Sequence, residues 1–523
     1  MTLAVVRSRA LDGLSALEVR VEVHLANGLP GFALVGLADT EVKESRERVR
    51  AALAETGFAF PHNRRITVSL APADLPKESG RFDLPIALGI LAASERIDAA
   101  RLEAFEFAGE LSLAGELRPV RGALALALAA RREGAPRALV LPWESAQEAA
   151  RVPGVDVRAA RDLPQVVQAL QRLGGEGGEG GEGGTGTAAE LPRAQPPARA
   201  RREGAAGAAA DLQDVRGQAG ARRALEIAAA GAHPLLLVGP PGTGKSMLAQ
   251  RLPAILPPMP AEEALESAAL HGLSRPGAEP LAPGCRPVRA PHHTASAVAL
   301  VGGGSPPLPG EVSLAHGGVL FLDELPEFPR AALEALREPL ETGRVTLSRA
   351  GRQAHYPARF LLVAAMNPCP CGWLGAAAAT GRACRCTPDA VARYQGRLSG
   401  PMLDRIDLLV EVPAQRPEVL LAAGPRESSA EVATRVAAAR ERMLARQGGP
   451  NGALDAASLA ASMSLEPAAR SFLQAAAQRL GWSGRALHRV LKVAQTVADL
   501  GGEATVQLAH VAEAVQWRRA LGS

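Results

Sequence analysis

Residues 234–251 read PLLLVGPPGTGKSMLAQR, and this stretch decides the fold. Its apolar start predicts a short buried strand, and SMLAQRL predicts the helix that follows it. The segment between them fits the spacing G-x-x-x-x-G-K-S, in which backbone N–H groups and a helix N-terminus surround phosphate oxygens. We therefore predict a nucleotide site formed by Gly239, Pro240, Pro241, Gly242, Thr243, Gly244, Lys245 and Ser246. Lys245 is expected to reach the β- and γ-phosphates of ATP, and the Ser246 hydroxyl to bind Mg²⁺.

A second motif, GGVLFLDELPEF at 317–328, predicts the acidic part of the same site. Four apolar residues form a buried strand that places Asp323 and Glu324 at its carboxyl end, where ligands lie in open α/β sheets. We expect Asp323 to hold the magnesium shell and Glu324 to polarise the attacking water. The alternative is an ordinary acidic helix start.

A third strand, RFLLVAAMN, ends at Asn367, whose amide can orient water against the γ-phosphate. By itself such an asparagine is more often a turn residue, but here it follows a strand of the same sheet. Short apolar strands alternate with helices from 211 to 416, and this alternation predicts an α/β fold with a parallel sheet covered on both faces. From 417 to 523 the pattern is alanine-rich amphipathic helix without a convincing strand, which predicts a helical lid.

The remaining sequence bounds the architecture. A chain of 523 residues is long enough for roughly three domains. Residues 171–210, rich in Gly, Glu, Ala and Pro, predict a flexible linker after an N-terminal α+β domain at 1–170. The net charge of +4 is compatible with nucleic acid without indicating it. No signal peptide and no membrane span is recognisable, so a soluble cytoplasmic protein is expected.

The order of these motifs resembles the AAA+ ATPases. PGEVSLAHGGVLFLDELPEF resembles their Mg-chelatase-like branch, and three further stretches resemble the ComM (YifB-type) family within that branch: APHHTASAVALVGGG, the block from ETGRVTLSRAGRQAHYPA to MNPCPCG, and SGPMLDRIDL. The resemblance implies a P-loop AAA+ core with a helical lid. It also implies that Arg405 is an arginine finger acting on a neighbouring subunit and Arg485 the sensor-2 arginine, with Arg489 as its rival. A surface salt bridge is the alternative for Arg405.

The resemblance further implies a homo-hexameric ring with two hairpin insertions, at 295–312 and 343–358. The second contains Arg344, Arg349 and Arg352, which suit sequence-independent contact with the DNA backbone. A solvated hairpin edge is the alternative. His292 and His293 are adjacent and would point opposite ways in an extended chain, so we interpret them as framework residues of the insertion and not as a shared metal site.

Four of the five cysteines lie in NPCPCGWLGAAAATGRACRC, the loop that follows Asn367. Cys369, Cys371, Cys384 and Cys386 form two Cys-x-Cys pairs, which can close a tetrahedral Zn–S₄ site. Buried free thiols and redox-labile disulfides are the alternatives. Zinc would stabilise a loop, at 367–388, that is too small for its own core and that carries arginines for DNA. Cys285 stands apart and is expected to be buried.

The N-terminal segments PADLPKESGRFDLPIALGIL and GELSLAGELRPVRGAL resemble the proteolytic domain of Lon-type proteases, a ribosomal-S5-like fold. Lon-type catalysis needs a serine nucleophile and a lysine base, but Arg81 and Leu124 align with those positions. The resemblance thus implies the fold without proteolysis, and Arg64, Arg65, Lys77 and Arg81 become candidate DNA contacts.

Together these features predict an ATP- and Mg²⁺-dependent hexameric helicase that promotes DNA branch migration in recombination, for example during integration of transforming DNA. One alternative is the ATPase subunit of a magnesium chelatase, which would need neither a Lon-like domain nor the cysteine loop. The other is an ATP-dependent Lon-like protease, which the missing Ser/Lys pair argues against.

Overall fold

The computed structural model describes residues 3–36, 40–75, 77, 80–134, 137–171, 190–197, 210–274, 285–349, 352–421 and 426–518. The chain forms two compact units. The N-terminal unit comprises Met1–Arg201 and Ala268–Pro283, and the P-loop unit comprises Arg202–Ser267 and Gly284–Ser523. The first unit therefore takes a segment from the middle of the chain, which the boundaries predicted from the sequence do not assign to it.

The N-terminal unit is a mixed α+β structure, as the sequence predicts. Its strands are β1 Leu3–Asp12, β2 Ser15–Ala26, β3 Gly31–Val35, β4 Arg65–Ala71, β5 Phe105–Phe107, β6 Glu110–Leu111, β7 Leu117–Arg118, β8 Ala138–Pro142 and β9 Val157–Ala160. Its helices are α1 Thr40–Glu55, α2 Asp83–Ala93, α3 Ala123–Arg132, α4 Trp143–Ala149 and α5 Leu163–Leu170.

The larger sheet of this unit has the strand order β1-β2-β4-β3. Strand β4 lies between β2 and β3, so these two consecutive strands do not form a hairpin. Helix α2 packs on β1 and β2, and all eleven of its residues are buried because both of its faces meet apolar side chains. A second sheet, β5-β8-β9, is parallel.

Most of the predicted linker lies outside the described residues, but residues 190–197 lie along β9. Ala159 N–H donates to Pro192 O at 2.9 Å, and Ala194 N–H donates to Val157 O at 2.8 Å. Leu191 is buried in the core of the N-terminal unit. This short piece is therefore part of the folded unit, because it completes backbone hydrogen bonds at a sheet edge.

The P-loop unit contains the remaining elements. Its strands are β10 Leu235–Val238, β11 Val288–Arg289, β12 Gly302–Gly303, β13 Leu308–Pro309, β14 Val319–Leu322, β15 Arg344–Arg349, β16 Arg352–Pro357, β17 Leu361–Met366, β18 Leu408–Glu411, β19 Ser464–Leu465 and β20 Thr505–Val506. Its helices before the C-terminal region are α6 Ala219–Gly231, α7 Lys245–Arg251, α8 Ala261–Leu273 (which ends in residues of the other unit), α9 Ala297–Val301, α10 Glu311–Leu314, α11 Arg330–Ala335, α12 Arg337–Thr342, α13 Ala377–Thr380, α14 Pro388–Gln395 and α15 Gly400–Leu403.

The central sheet of the P-loop unit is parallel throughout, in the order β11-β14-β17-β10-β18. This confirms the predicted parallel-sheet core. Strands β10, β14 and β17 are neighbours, and every residue in them is buried. Since parallel strands end at the same edge, the residues that follow these three strands lie together.

The C-terminal region is helical: α16 Pro417–Leu421, α17 Ser429–Gln447, α18 Ala456–Ser462, α19 Pro467–Leu480, α20 Gly484–Gly501 and α21 Leu508–Gln516. The sequence predicts no strand here, but β19 and β20 form a parallel pair of two residues each. Helices α17 and α20 pack on α6, and their apolar residues join those of the sheet in one hydrophobic core. Among the described helices of the whole chain, none is long and apolar enough to cross a membrane.

Candidate nucleotide-binding site

The phosphate loop joins β10 to α7, as the sequence predicts. Gly244 caps α7 with φ +90°, a conformation that favours glycine. Gly239 lies so close to β18 that a Cβ there would be 2.2 Å from Val412 O. These glycines keep the backbone tight around the start of α7, where N–H groups can bind an anion.

Lys245 lies at the centre of the loop and is 8% exposed. Its ammonium donates to Gly239 O at 2.7 Å, to Pro240 O at 2.9 Å and to Asn367 Oδ1 at 3.1 Å. Burial lowers the pKa of Lys245, while the charges of Asp323 and Glu324 oppose that shift. The Lys245 ammonium is therefore held where the predicted phosphate site lies.

Ser246 and Asp323 meet although 77 residues separate them in the chain. The Ser246 hydroxyl donates to Asp323 Oδ2 at 2.6 Å, and Asp323 Oδ1 accepts from the Glu324 N–H at 2.9 Å. A hydroxyl and a carboxylate that converge in this way are hard oxygen ligands of the kind Mg²⁺ prefers. The pair thus fits the predicted magnesium site.

Glu324 adopts an unusual backbone conformation, with φ +53°, and begins the turn Leu325–Glu327. Its carboxylate is about half exposed, and Oε2 lies 3.0 Å from Nδ1 of His293. The two adjacent histidine rings lie against each other at a tilt of 34°, with centroids 4.0 Å apart, so the prediction that they point opposite ways is wrong. The chain after β11 bends here, which turns both rings to one side.

Asn367 follows β17 directly and meets the phosphate loop through Lys245. The structure thus brings Lys245, Ser246, Asp323 and Asn367 together beside the carboxyl ends of β10, β14 and β17. Asn367 is half-buried.

The Arg405 side chain is bonded to groups of its own chain. Its guanidinium contacts the Glu341 carboxylate and donates to Pro401 O at 2.5 Å, and its side chain is 12% exposed. The salt-bridge alternative therefore describes this conformation. Action on a neighbouring subunit would require Arg405 to leave Glu341.

The two candidate sensor arginines of α20 differ in their surroundings. Arg485 is exposed near the start of the helix. Arg489 donates to Asp407 Oδ1 at 2.7 Å, and the other oxygen of Asp407 lies 2.8 Å from Nδ1 of the fully buried His233. Burial would raise the pKa of Asp407, but the hydrogen bond and charge of His233, together with Arg489, more than offset it and lower that pKa. Arg489 is thus fixed in a structural ion pair, whereas Arg485 is available.

Gln218 is a residue that the sequence analysis missed. It adopts a left-handed conformation before α6, and its Nε2 donates to Pro413 O at 2.7 Å and to Thr243 O at 3.3 Å. Its side-chain oxygen is buried and has no hydrogen-bond partner among the described residues. The VRGQ sequence has no phosphate-binding spacing, so only the fold reveals that it supports the phosphate loop.

The four clustered cysteines meet as predicted, and we call residues 369–386 the cysteine clasp. Their sulfur atoms all lie within 4.8 Å of one another, with distances of 3.4 Å for Cys369–Cys371, 3.7 Å for Cys369–Cys384 and 3.6 Å for Cys371–Cys384. Disulfides need about 2.05 Å, so these are free thiols. The N–H groups of Arg385 and Trp373 lower the pKa of Cys371 to about 6. Cys285 is exposed, and the prediction that it is buried is wrong.

The predicted insertions both contain hairpins, β12–β13 and β15–β16. Val345 and Leu347 of β15 are buried, while Arg344 is exposed, because side chains alternate along a strand. Arg349 and Arg352 are paired at the tip of the second hairpin. The Tyr356 hydroxyl donates to Pro307 O at 2.8 Å, which joins the two insertions.

The N-terminal unit contradicts two of the candidate DNA contacts. Lys77 is fully buried and donates to Pro72 O, and burial lowers its pKa. Arg81 is 4% exposed and donates to Arg121 O at 3.4 Å. Both predictions are wrong for this conformation, because the chain around Gly80–Phe82 packs inward. Arg64 and Arg65 are exposed.

Comparison with known proteins places these features in a family. The family model "Magnesium chelatase, subunit ChlI" matches residues 211–420, its C-terminal model matches 426–518, and "Subunit ChlI of Mg-chelatase" matches 21–145. The chain is 48% identical over 519 residues to "Competence protein ComM" of Haemophilus influenzae, an alignment that covers 99% of this chain and 98% of that protein.

The chain belongs to the ComM/YifB family of Mg-chelatase-like AAA+ proteins. It is 47% identical over 519 residues to "Uncharacterized protein YifB" of Salmonella typhimurium, which covers 99% of this chain and 97% of that one. It is 43% identical over 520 residues to "Uncharacterized protein Rv2897c" of Mycobacterium tuberculosis, with 98% of each chain covered. The family resemblance predicted from the sequence is thereby confirmed, and with it the P-loop AAA+ fold.

Proposed function

We propose that this chain is a Mg²⁺-dependent ATPase that acts as a DNA helicase. The convergence of Lys245, Ser246, Asp323 and Asn367 at one sheet edge carries the proposal, because these groups can bind phosphates, hold magnesium and orient water. Ser246 and Asp323 would hold the Mg²⁺, which neutralises phosphate charge when bound. Glu324 would accept the proton of the attacking water.

The DNA contacts are assigned to the joined insertion hairpins. Arg344 lies on the exposed face of β15, so a polyanion can approach it there, and Arg349 and Arg352 are paired through the backbone at the tip of the hairpin. Such contacts bind the sugar–phosphate backbone and do not read sequence. The relative from Haemophilus influenzae is named a competence protein, which supports a role in transformation. We propose that this role is branch migration during integration of the transforming DNA.

The motor would be a homo-hexameric ring that works in the cytoplasm. Arg405 would leave Glu341 and reach the nucleotide of the adjacent subunit, where a guanidinium stabilises charge on the transferring phosphoryl group. Arg485, which is free of the ion pair that holds Arg489, would sense the nucleotide from α20.

We also propose that the cysteine clasp holds a structural zinc ion. Four thiolates at about 2.3 Å from a tetrahedral centre are about 3.8 Å apart, close to the sulfur distances observed. Cys369 is completely buried, and the other three are half-buried, as suits a closed site with no open position.

The deciding experiment measures ATP hydrolysis and strand displacement with and without four-way DNA. We expect DNA to stimulate hydrolysis, and Lys245→Ala and Glu324→Gln to abolish both activities. Glu327→Gln is the matched control, since it makes the same change one turn away, where the carboxylate binds Arg397 at 2.7 Å. A rate of ATP hydrolysis that does not change when DNA is added would contradict the proposal. Casein degradation would then favour a protease, and magnesium insertion into a porphyrin would favour a chelatase subunit.

A further inference from the structure

We propose that the cysteine clasp, once it holds a thiophilic divalent metal such as zinc, positions the phosphate loop, so that metal occupancy and ATP affinity are coupled. The inference rests on the ATP and metal sites proposed above and adds a physical connection between them. One direct contact of the clasp with the phosphate loop, and the short chain link between the clasp and Asn367, carry it.

The direct contact is between Gly372 and Pro241. Gly372 follows the second cysteine of the clasp, and Pro241 is the third residue of the phosphate loop. A Cβ on Gly372 would lie 2.6 Å from Pro241 Cδ and 2.7 Å from Pro241 Cγ. The backbone of Gly372 therefore packs directly against the ring of Pro241, and only a residue without a side chain fits there.

The chain link runs through Asn367, two residues before Cys369. Its Oδ1 accepts from the Lys245 ammonium at 3.1 Å. The intervening Pro368 is held by α14, the helix that follows the clasp, because Gln395 Nε2 donates to Pro368 O at 3.0 Å. The chain segments on either side of the clasp are thus joined beside Asn367, the residue that contacts Lys245.

Few of the described residues of the clasp are buried. Cys369, Gly372 and Ala376 are buried, but most of its other residues are half-buried or exposed. Ordering such a loop costs backbone conformational entropy. Metal binding can supply this free energy, because the loop folds as its thiolates bind the metal. Loss of the metal should release Gly372 from Pro241 and leave the phosphate loop less well organised for ATP.

Thermodynamic linkage makes the proposal reciprocal. If the metal strengthens ATP binding by some factor, ATP strengthens metal binding by the same factor. We expect a fluorescent ATP analogue to bind at least about fivefold more tightly to zinc-loaded protein than to zinc-stripped protein. In excess Mg²⁺, the same analogue should lower zinc transfer to a zinc-selective chromogenic chelator at equilibrium by a matching factor.

Two glycine variants separate the contact from general damage to the loop. Gly372→Ala and Gly375→Ala place a side chain at similar left-handed φ values of +83° and +77°. Only the first meets the phosphate loop, since nothing lies within 4 Å of a Cβ at Gly375. We expect both variants to keep one zinc per chain, and only Gly372→Ala to weaken analogue binding.

The outcomes distinguish this inference from the proposed function. Equal analogue affinity in loaded and stripped protein, or equal effects of the two glycine variants, would overturn the coupling and leave the ATPase intact. A purified chain without any thiophilic metal would also overturn it. If neither form bound the analogue, the coupling and the proposed ATPase would both fail.

Discussion

Nδ1 of His293 lies 3.0 Å from Oε2 of Glu324. This contact joins the loop after β11 to the acidic turn that follows β14. The side chain of His293 is 33% exposed and that of Glu324 is 54% exposed, so the histidine holds a carboxylate that is otherwise about half open to solvent. We therefore expect His293 to position the Glu324 carboxylate.

Removal of that contact is expected to slow hydrolysis. A hydrogen bond to a charged group contributes about 1.5–3 kcal/mol, so His293→Ala should lower kcat about tenfold or more with little change in KM. His293→Asn should restore part of the rate, because the asparagine amide can donate from nearly the same position. His292→Ala is the control: its ring lies against that of His293, and its Nδ1 contacts Thr294. Similar losses for both alanine variants would contradict the positioning role.

Arg405 provides a test of the ring. Arg405→Ala should lower kcat by about a thousandfold if the guanidinium completes the site of a neighbour. Mixing Arg405→Ala subunits with Lys245→Ala subunits should restore activity, since some interfaces then combine an intact phosphate loop with an intact arginine.

Mixed subunits that stay inactive, measured by steady-state ATP hydrolysis, would show that Arg405 does not act across an interface. Glu341→Gln offers a second check. It removes the charge that holds Arg405 within its own chain, so it should lower the protein concentration needed for full activity.

Arg344 is expected to contribute to DNA binding through charge alone. Arg344→Ala should weaken binding to all sequences alike and reduce the slope of log affinity against log salt by about one. Arg470→Ala, an exposed arginine on α19, is the control and should leave the slope unchanged. Fluorescence anisotropy over a salt series measures both. An unchanged slope for Arg344→Ala would favour the solvated hairpin edge.

The two arginines of α20 should separate stability from catalysis. Arg489→Ala removes a partner of the buried Asp407 and should destabilise the fold by about 3 kcal/mol. Arg485→Ala should leave Tm unchanged and lower kcat. Because the pKa of Asp407 is lowered, its contribution to stability is present above about pH 4 and is lost as the pH falls through the folded-state value. Thermal unfolding of both variants at pH 7 checks the assignment, and equal Tm losses would contradict it.

The sequence alone determined the phosphate loop and the two polar strand ends. Lys245 and Ser246 lie in one contiguous motif, and Asp323 and Asn367 each follow an apolar run, so a parallel sheet must bring them to one edge. The cysteine pairs were recognisable for a similar reason, because their spacing alone allows the four sulfur atoms to meet.

Only the tertiary structure decided which residues support that site. The contacts of His293 with Glu324 and of Gly372 with Pro241 join segments that have no shared periodicity, and β11 is too short to be recognised. The sequence also did not reveal which of these side chains are buried. Lys77 and Arg81 are buried, while Cys285 is exposed. Local patterns fix where a strand ends, but the direction of a side chain and its exposure depend on what packs against it from distant parts of the chain.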